Sequence, residues 1–229
     1  MGDGRREVSR IEHQTTPRIA EYGSPLKGET LGTTPLATPA SQETADAIGH
    51  SISLIRGEVG ETADRINEQE LALLAAHLTT VNRVFVAGAG RSGLVLRMAA
   101  MRLMHLGLTV HIAGDTTTPA IRAEDLLVVA SGSGTTSSVV KAAETAAKAG
   151  AKVAAFTANI DSPLAAVTDM LVVIPAPQKT DHQLDASRQY SGSLFEQVLF
   201  LATEAVFQAL WEESSISAQQ LWTRHANLE

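Results

Sequence analysis

Residues 83–93, Arg-Val-Phe-Val-Ala-Gly-Ala-Gly-Arg-Ser-Gly, constrain this chain more tightly than any other stretch. Val84, Phe85, Val86 and Ala87 form a short apolar run, rich in β-branched and aromatic residues and without alternation. A strand buried on both faces of a parallel sheet reads this way. The run enters three glycines, Gly88, Gly90 and Gly93, and then a segment in which Leu94, Met98, Met101 and His105 recur at helical spacing. Strand, glycine turn and helix place free backbone N–H groups and a positive dipole end at the C-terminal edge of a sheet. Anions bind there. The stretch therefore points to a phosphorylated ligand.

The rest of the chain extends this unit. Residues 109–113 read as a second strand ending in Gly114-Asp115, 125–130 as a third, 152–157 as a fourth and 170–174 as a fifth ended by Pro175. Helical stretches over about 139–149, with Gly150 as C-cap, and over 162–167 separate the later strands. Strands alternating with helices at this spacing predict an α/β fold, a three-layer α/β/α sandwich around a five-stranded parallel sheet.

Upstream, from Ser41, Ile48, Ile52, Ile55, Val59 and Ile66 keep one stripe, and Leu71, Leu74 and Leu78 begin a second. They predict a helical hairpin laid on the sheet or on a partner subunit. No chemistry is evident in it, and His50 and His77 read as structural or solvated. Residues 175–190 form a polar loop long enough for an active-site flap or an interface arm. A long helix follows over about 192–211, with Leu194, Val198, Leu201, Ala205 and Leu210 as buried candidates. The terminal residues 221–229 are too rich in specific side chains for a frayed end.

Half of the eight prolines lie in residues 1–40, among Gly, Ser and Thr, where large apolar residues are sparse. That segment reads as a poorly ordered extension, with a docking arm as the alternative, and 41–229 as one domain. A net charge of −7 gives no basic field for nucleic acid. The absence of cysteine removes disulfides, thiolate metal sites and a cysteine nucleophile. No apolar run is expected to reach the roughly 18 residues that span a bilayer. Glu7, Arg10 and Glu12 interrupt any signal-peptide core, so the cytoplasm is the expected address and no membrane partner is expected.

Gly88, Gly90 and Gly93 satisfy G-x-G-x-x-G after a strand, and Asp115 ends the next one, which together match a dinucleotide fingerprint. Two features oppose that reading. Arg91 and Ser92 fill the turn with groups suited to a phosphate or sugar hydroxyls, and little chain remains for a separate substrate domain. The second loop is more telling. Ser131, Gly132, Ser133, Gly134, Thr135 and Thr136, followed by Ser137 and Ser138, crowd a helix N-terminus directly after a strand. Their hydroxyls and N–H groups can wrap a monophosphate without lysine. An N-cap alone needs one such residue. The loop lacks G-x-x-x-x-G-K-[S/T], so nucleoside-triphosphate hydrolysis is unsupported. No metal constellation is present, because His105 and His111 lack convergent carboxylates.

Five motifs in order, Gly88-Ala-Gly-Arg-Ser-Gly93, Met101-Arg-Leu-Met-His-Leu-Gly107, Ser131-Gly-Ser-Gly134, Gly192-Ser-Leu-Phe-Glu-Gln197 and Arg224-His-Ala-Asn-Leu-Glu229, resemble the 6-phospho-3-hexuloisomerases. That family lies within the sugar-isomerase (SIS) domain group, whose sheet is flavodoxin-like. The similarity runs from about Ala45 to the C-terminus. One position departs: the family commonly carries Glu after Ser-Gly-Ser-Gly, and here Thr135 removes that carboxylate.

The resemblance implies conversion of D-arabino-3-hexulose 6-phosphate to fructose 6-phosphate through a cis-enediol, in the ribulose monophosphate pathway of formaldehyde fixation. It implies no cofactor, a homodimer or homotetramer, and functional coupling to 3-hexulose-6-phosphate synthase. A proton must leave C2 and return at C3, a task for a positioned carboxylate or imidazole. Glu196, in the first turns of the last long helix, is the expected base. His225 is the second expected catalytic residue, serving ring opening as a neighbouring subunit's histidine does in SIS isomerases. His182 is a poorer candidate. Arg91, Ser92 and residues 131–136 are the expected substrate-binding set. The alternatives are a sugar-phosphate sensor without turnover and another SIS sugar-phosphate isomerase.

Overall fold

The computed structural model describes residues 41–177 and 187–228. The expected extension over 1–40 and His182 lie outside the described residues. Helices α1 (Gln42–Ala63) and α2 (Glu68–Leu78) form the hairpin. Then come β1 (Val84–Gly88), α3 (Gly90–Leu106), β2 (Val110–Ile112), β3 (Leu126–Ala130), α4 (Ser137–Lys148) and β4 (Lys152–Thr157). A 3₁₀ turn (Ala165–Val167), β5 (Met170–Val173), α5 (Ser193–Glu213) and α6 (Ala218–Trp222) complete the chain.

All five strands are parallel, in the order β2-β1-β3-β4-β5. The expected sandwich is therefore present, with the flavodoxin-like strand order. The chain moves outward from β1 to β2 and then crosses back to β3 on the other side of β1. Gly88 stands opposite Ala130 in the register, so the loops after β1 and β3 leave the sheet level with each other. In such sheets ligands bind at this reversal, beyond the strands' carboxyl ends.

Alternation along the strands assigns the two faces. Val84, Val86, Leu126 and Val128 face α2, α3 and α5, whereas Phe85, Leu127 and Val129 face α4. Burial on both faces explains why these strands read as unbroken apolar runs.

The helices required corrections. On α3 the expected stripe Leu94, Met98 and Met101 is exposed; Leu96, Ala100 and Leu103 are the residues packed on the sheet. On α1, Ile48, Ile52 and Ile55 are likewise exposed, and only Val59 near its end joins the core. On α5, Leu201 and Ala205 face outward while Leu199, Ala202 and Val206 are buried. The 162–167 stretch forms only the three-residue 3₁₀ turn. Contrary to the expectation of no membrane-length apolar run, α5 is long and apolar enough by length and composition to cross a bilayer. Its apolar residues have another use, since one side of it is buried against the sheet.

Candidate active site

Three helix N-termini meet over the strand reversal. A cleft of about 180 Å³ is lined by Ala89, Gly90 and Ser92 from the start of α3 and by Ala130 to Ser133 with Thr136 from the start of α4. Gly192, Phe195 and Glu196 from α5, with Pro177, close it. The capping residues distinguish these helices from the others. Ser41, Asn67 and Ser217 cap α1, α2 and α6 with side-chain hydrogen bonds. Ala89, Thr136 and Gly192 make no such bond for α3, α4 and α5. First-turn N–H groups have no intrahelical acceptor, so three uncapped ends aim donors and dipoles at one space.

Packing requires the first loop's glycines. A Cβ at Gly93 would stand 2.5 Å from the Gly88 carbonyl oxygen, and one at Gly88 would stand 2.8 Å from the Gly93 Cα. Gly90 has φ +56°, which L side chains rarely adopt. The spacing thus lets α3 start hard against β1 and carries no information specific to a dinucleotide. Asp115, the acidic residue of that alternative, is held by Arg97 at 2.8 and 3.3 Å.

In the second loop, Ser131 and Thr136 share a hydroxyl contact of 2.9 Å, and so do Ser133 and Thr135. Gly134 turns at φ +66° and packs on Ser162, behind the cleft, while Thr135 is exposed. Ser131, Gly132, Ser133 and Thr136 line the cleft. The Phe195 ring lies beside Gly132, in van der Waals reach, 3.4 Å, of the place a Cβ would occupy.

Glu196 is buried, only 5% exposed, in the first turn of α5. Arg91 reaches across from α3, and its Nε forms an ion pair with Glu196 Oε2. The guanidinium itself is largely in solvent. The expected base and a member of the expected substrate-binding set therefore touch.

His225 is elsewhere. Its ring stacks between Trp222, at 4.8 Å, and His105, at 5.3 Å, and Arg224 donates to the His105 carbonyl at 2.7 Å. His105 lies fifteen residues along α3 from Gly90, about 22 Å at 1.5 Å per residue. The chain's own His225 is thus far from its own cleft. A larger cavity, about 330 Å³, lies on the α4 face between Phe85, Leu127 and Ala142, with no helix N-terminal loop converging on it.

The SIS domain profile matches residues 77–198, which contain every residue placed in the cleft. A 3-hexulose-6-phosphate isomerase from Mycobacterium gastri is 65% identical over 193 residues, 84% of this chain and 97% of that protein. The chain belongs to the SIS domain family, among the 3-hexulose-6-phosphate isomerases. The Bacillus subtilis 3-hexulose-6-phosphate isomerase is 37% identical over 179 residues, 78% of this chain and 97% of that protein. The crystal structure of a hypothetical protein, 31% identical, superposes with a TM-score of 0.74 over 80% of this chain and 98% of its own.

Within this SIS domain the expected site set omitted six cleft residues, Ala89, Gly90, Ala130, Pro177, Gly192 and Phe195, and the Arg91–Glu196 pair. Phe195 could have been found: it sits beside Glu196 in the Gly-Ser-Leu-Phe-Glu-Gln motif, at the wrong helical phase for a surface position. No local signal marks the ion pair, because its members are 105 residues apart.

Proposed function

We propose that this SIS isomerase interconverts D-arabino-3-hexulose 6-phosphate and fructose 6-phosphate, with Glu196 as the base that moves the proton between C2 and C3. The observation that carries the reading is a buried carboxylate in the same cleft as two loops suited to an anion. A sensor needs the loops but has no use for the carboxylate.

The phosphate is assigned to the first turns of α3 and α4, where Ser92, Ser131, Ser133 and Thr136 add hydroxyls to the backbone donors. Glu196 takes the proton from C2 as the electrons move toward O3, giving the cis-enediolate, with O3 as the oxyanion and O2 still protonated. The same carboxyl returns the proton to C3 while the O2 proton passes to O3, leaving the ketone at C2. A cis-enediol presents one face at both carbons, so one carboxylate serves both steps. Arg91 holds the carboxylate through Oε2. Charge developing on the substrate oxygens is met by the guanidinium and the uncapped N–H groups.

Fructose 6-phosphate closes to a furanose, and its opening needs a proton shuttle. We assign that shuttle to His225 acting in the cleft of a neighbouring copy, since its own cleft is at the other end of α3. Exposed apolar side chains on α1 (Ile48, Ile52) and α3 (Leu94, Met98) suit a homodimer or homotetramer. The substrate arises by adding formaldehyde to ribulose 5-phosphate, so the partner reaction is a 3-hexulose-6-phosphate synthase, in the cytoplasm. Residues 41–229 form the catalytic unit in this reading.

The test is incubation with fructose 6-phosphate in deuterated water. Deuterium entering at C3 of fructose 6-phosphate, together with appearance of the 3-ketose, is the expected result. A protein that binds the sugar phosphate without exchange is a sensor, and the proposal then fails.

A further inference from the structure

The helical hairpin holds both legs of the chain segment that joins β5 to α5. On the leg leaving β5, Glu70 Oε2 accepts from the Val173 N–H at 3.1 Å, and Arg65 donates to the Pro175 carbonyl at 3.2 Å. On the returning leg, one carboxylate does most of the holding. Glu58 on α1 accepts from Ser187 Oγ at 2.7 Å, from the Arg188 N–H at 2.8 Å and from Gln189 Nε2 at 2.9 Å. Burial pushes this carboxyl up, but the bonds from Arg188, Ser187 and Gln189 outweigh it and leave it below the ordinary carboxylate range. The held leg then runs directly into the site. Ser193 N donates to the Tyr190 carbonyl, Gly192 lines the cleft, and Glu196 N donates to the Gly192 carbonyl. Pro177, on the other leg, also lines it.

From this juxtaposition we propose that Glu58 is a positioning residue for the isomerisation. It fixes the 187–189 leg, and through Gly192 it sets the first turn of α5 and the Glu196 carboxylate against the cleft. The inference rests on the assignment of Glu196 as base. Its chemistry is hydrogen bonding to a carboxylate of fixed place, and Glu58 itself touches no substrate. A displacement of about 1 Å at a reacting group can cost on the order of a hundredfold in rate. Three charge-assisted bonds converging on one side chain are a device for preventing it.

The experiment uses the full chain with Glu58→Ala, Glu58→Gln, the pair Ser187→Ala/Gln189→Ala, and the combination with Glu58→Ala. Expected for Glu58→Ala is a fall in kcat of roughly tenfold to a hundredfold, with KM for fructose 6-phosphate within a few-fold and an unchanged far-ultraviolet dichroism spectrum. Glu58→Gln, which keeps one acceptor oxygen, should recover part of kcat. Adding the Ser187/Gln189 changes to Glu58→Ala should cost little more, because both act on one linkage. Amide exchange at Arg188 should accelerate in Glu58→Ala, a readout that needs no turnover. Unchanged kcat, a rise confined to KM, strictly additive effects, or an unaltered Arg188 amide would each overturn the proposal. If the wild-type protein itself shows no carbon-bound exchange, the isomerase reading fails separately, and the Arg188 amide still reports on the linkage.

Discussion

Arg91 and Glu196 join the first turn of α3 to the first turn of α5 across the cleft, a mostly solvated guanidinium against a buried carboxylate. The exposed cation can be replaced by solvent or exchanged for a substrate oxygen, whereas the carboxylate is fixed by its helix. Their unequal burial divides the roles assigned to them, and the two substitutions should separate.

Glu196→Gln retains shape and hydrogen bonding and removes the base. General-base catalysis contributes about 10²–10⁴-fold, so kcat should fall within that range while sugar-phosphate affinity stays within a few-fold. Deuterium incorporation into fructose 6-phosphate should fall in parallel. Near wild-type exchange would take Glu196 out of the mechanism.

Arg91→Ala should act mainly on affinity. A hydrogen bond to a charged group is worth about 1.5–3 kcal/mol, or roughly tenfold to a hundredfold in KM. Because the guanidinium is 64% exposed, its ion pair should contribute no more than about 1 kcal/mol to stability. Kinetics and denaturant titration on the same preparation decide the matter, and an unchanged KM would remove Arg91 from the substrate site.

Gly93→Ala should damage the fold itself. With a Cβ placed 2.5 Å from the Gly88 carbonyl oxygen, either β1 or α3 must shift, and overpacking of this kind costs about 1–3 kcal/mol. Calorimetry should show a lower unfolding temperature. Equal midpoints for variant and wild type would contradict the packing account of the glycine spacing.

His105 should make stability pH-dependent. Its burial, with His225 and Arg102 nearby, holds the imidazole below its ordinary value of 6.5. The unfolded chain then takes up the proton first, so this contribution is complete above about pH 6.5 and is lost as pH falls from there toward the folded value. His105→Phe, which preserves a ring against His225, should flatten the dependence of the unfolding midpoint between about pH 7.5 and pH 5.5. An identical slope in both proteins would show that His105 is not its source.

Strands buried on both faces announce themselves in a sequence, and β1, β3 and β4 fall within a residue of where their apolar runs place them. The glycine and serine loops were equally legible, because a tight strand-to-helix turn has few usable residue types. Helix faces were not. On α3, Leu94, Met98 and Met101 alternate with Leu96, Ala100 and Leu103, and two apolar stripes on one helix give no local sign of which meets the sheet. The placement of His225 and the grip of Glu58 on residues 187–189 depend on contacts across more than a hundred positions. Nothing in the neighbouring sequence records them.

The missing caps on α3, α4 and α5 have a thermodynamic consequence. Among the described residues α1, α2 and α6 each carry a side-chain acceptor at their start, whereas α3, α4 and α5 carry none, so an outside oxygen can take that place. A ligand oxygen seated there would act as a helix cap, and occupancy and folding would be linked equilibria. At a hundred times its dissociation constant, a sugar phosphate bound only by the folded chain adds about 2.7 kcal/mol to the unfolding free energy. A cell poor in sugar phosphate would then hold a less stable enzyme, and the protein's lifetime would follow the supply of its own substrate.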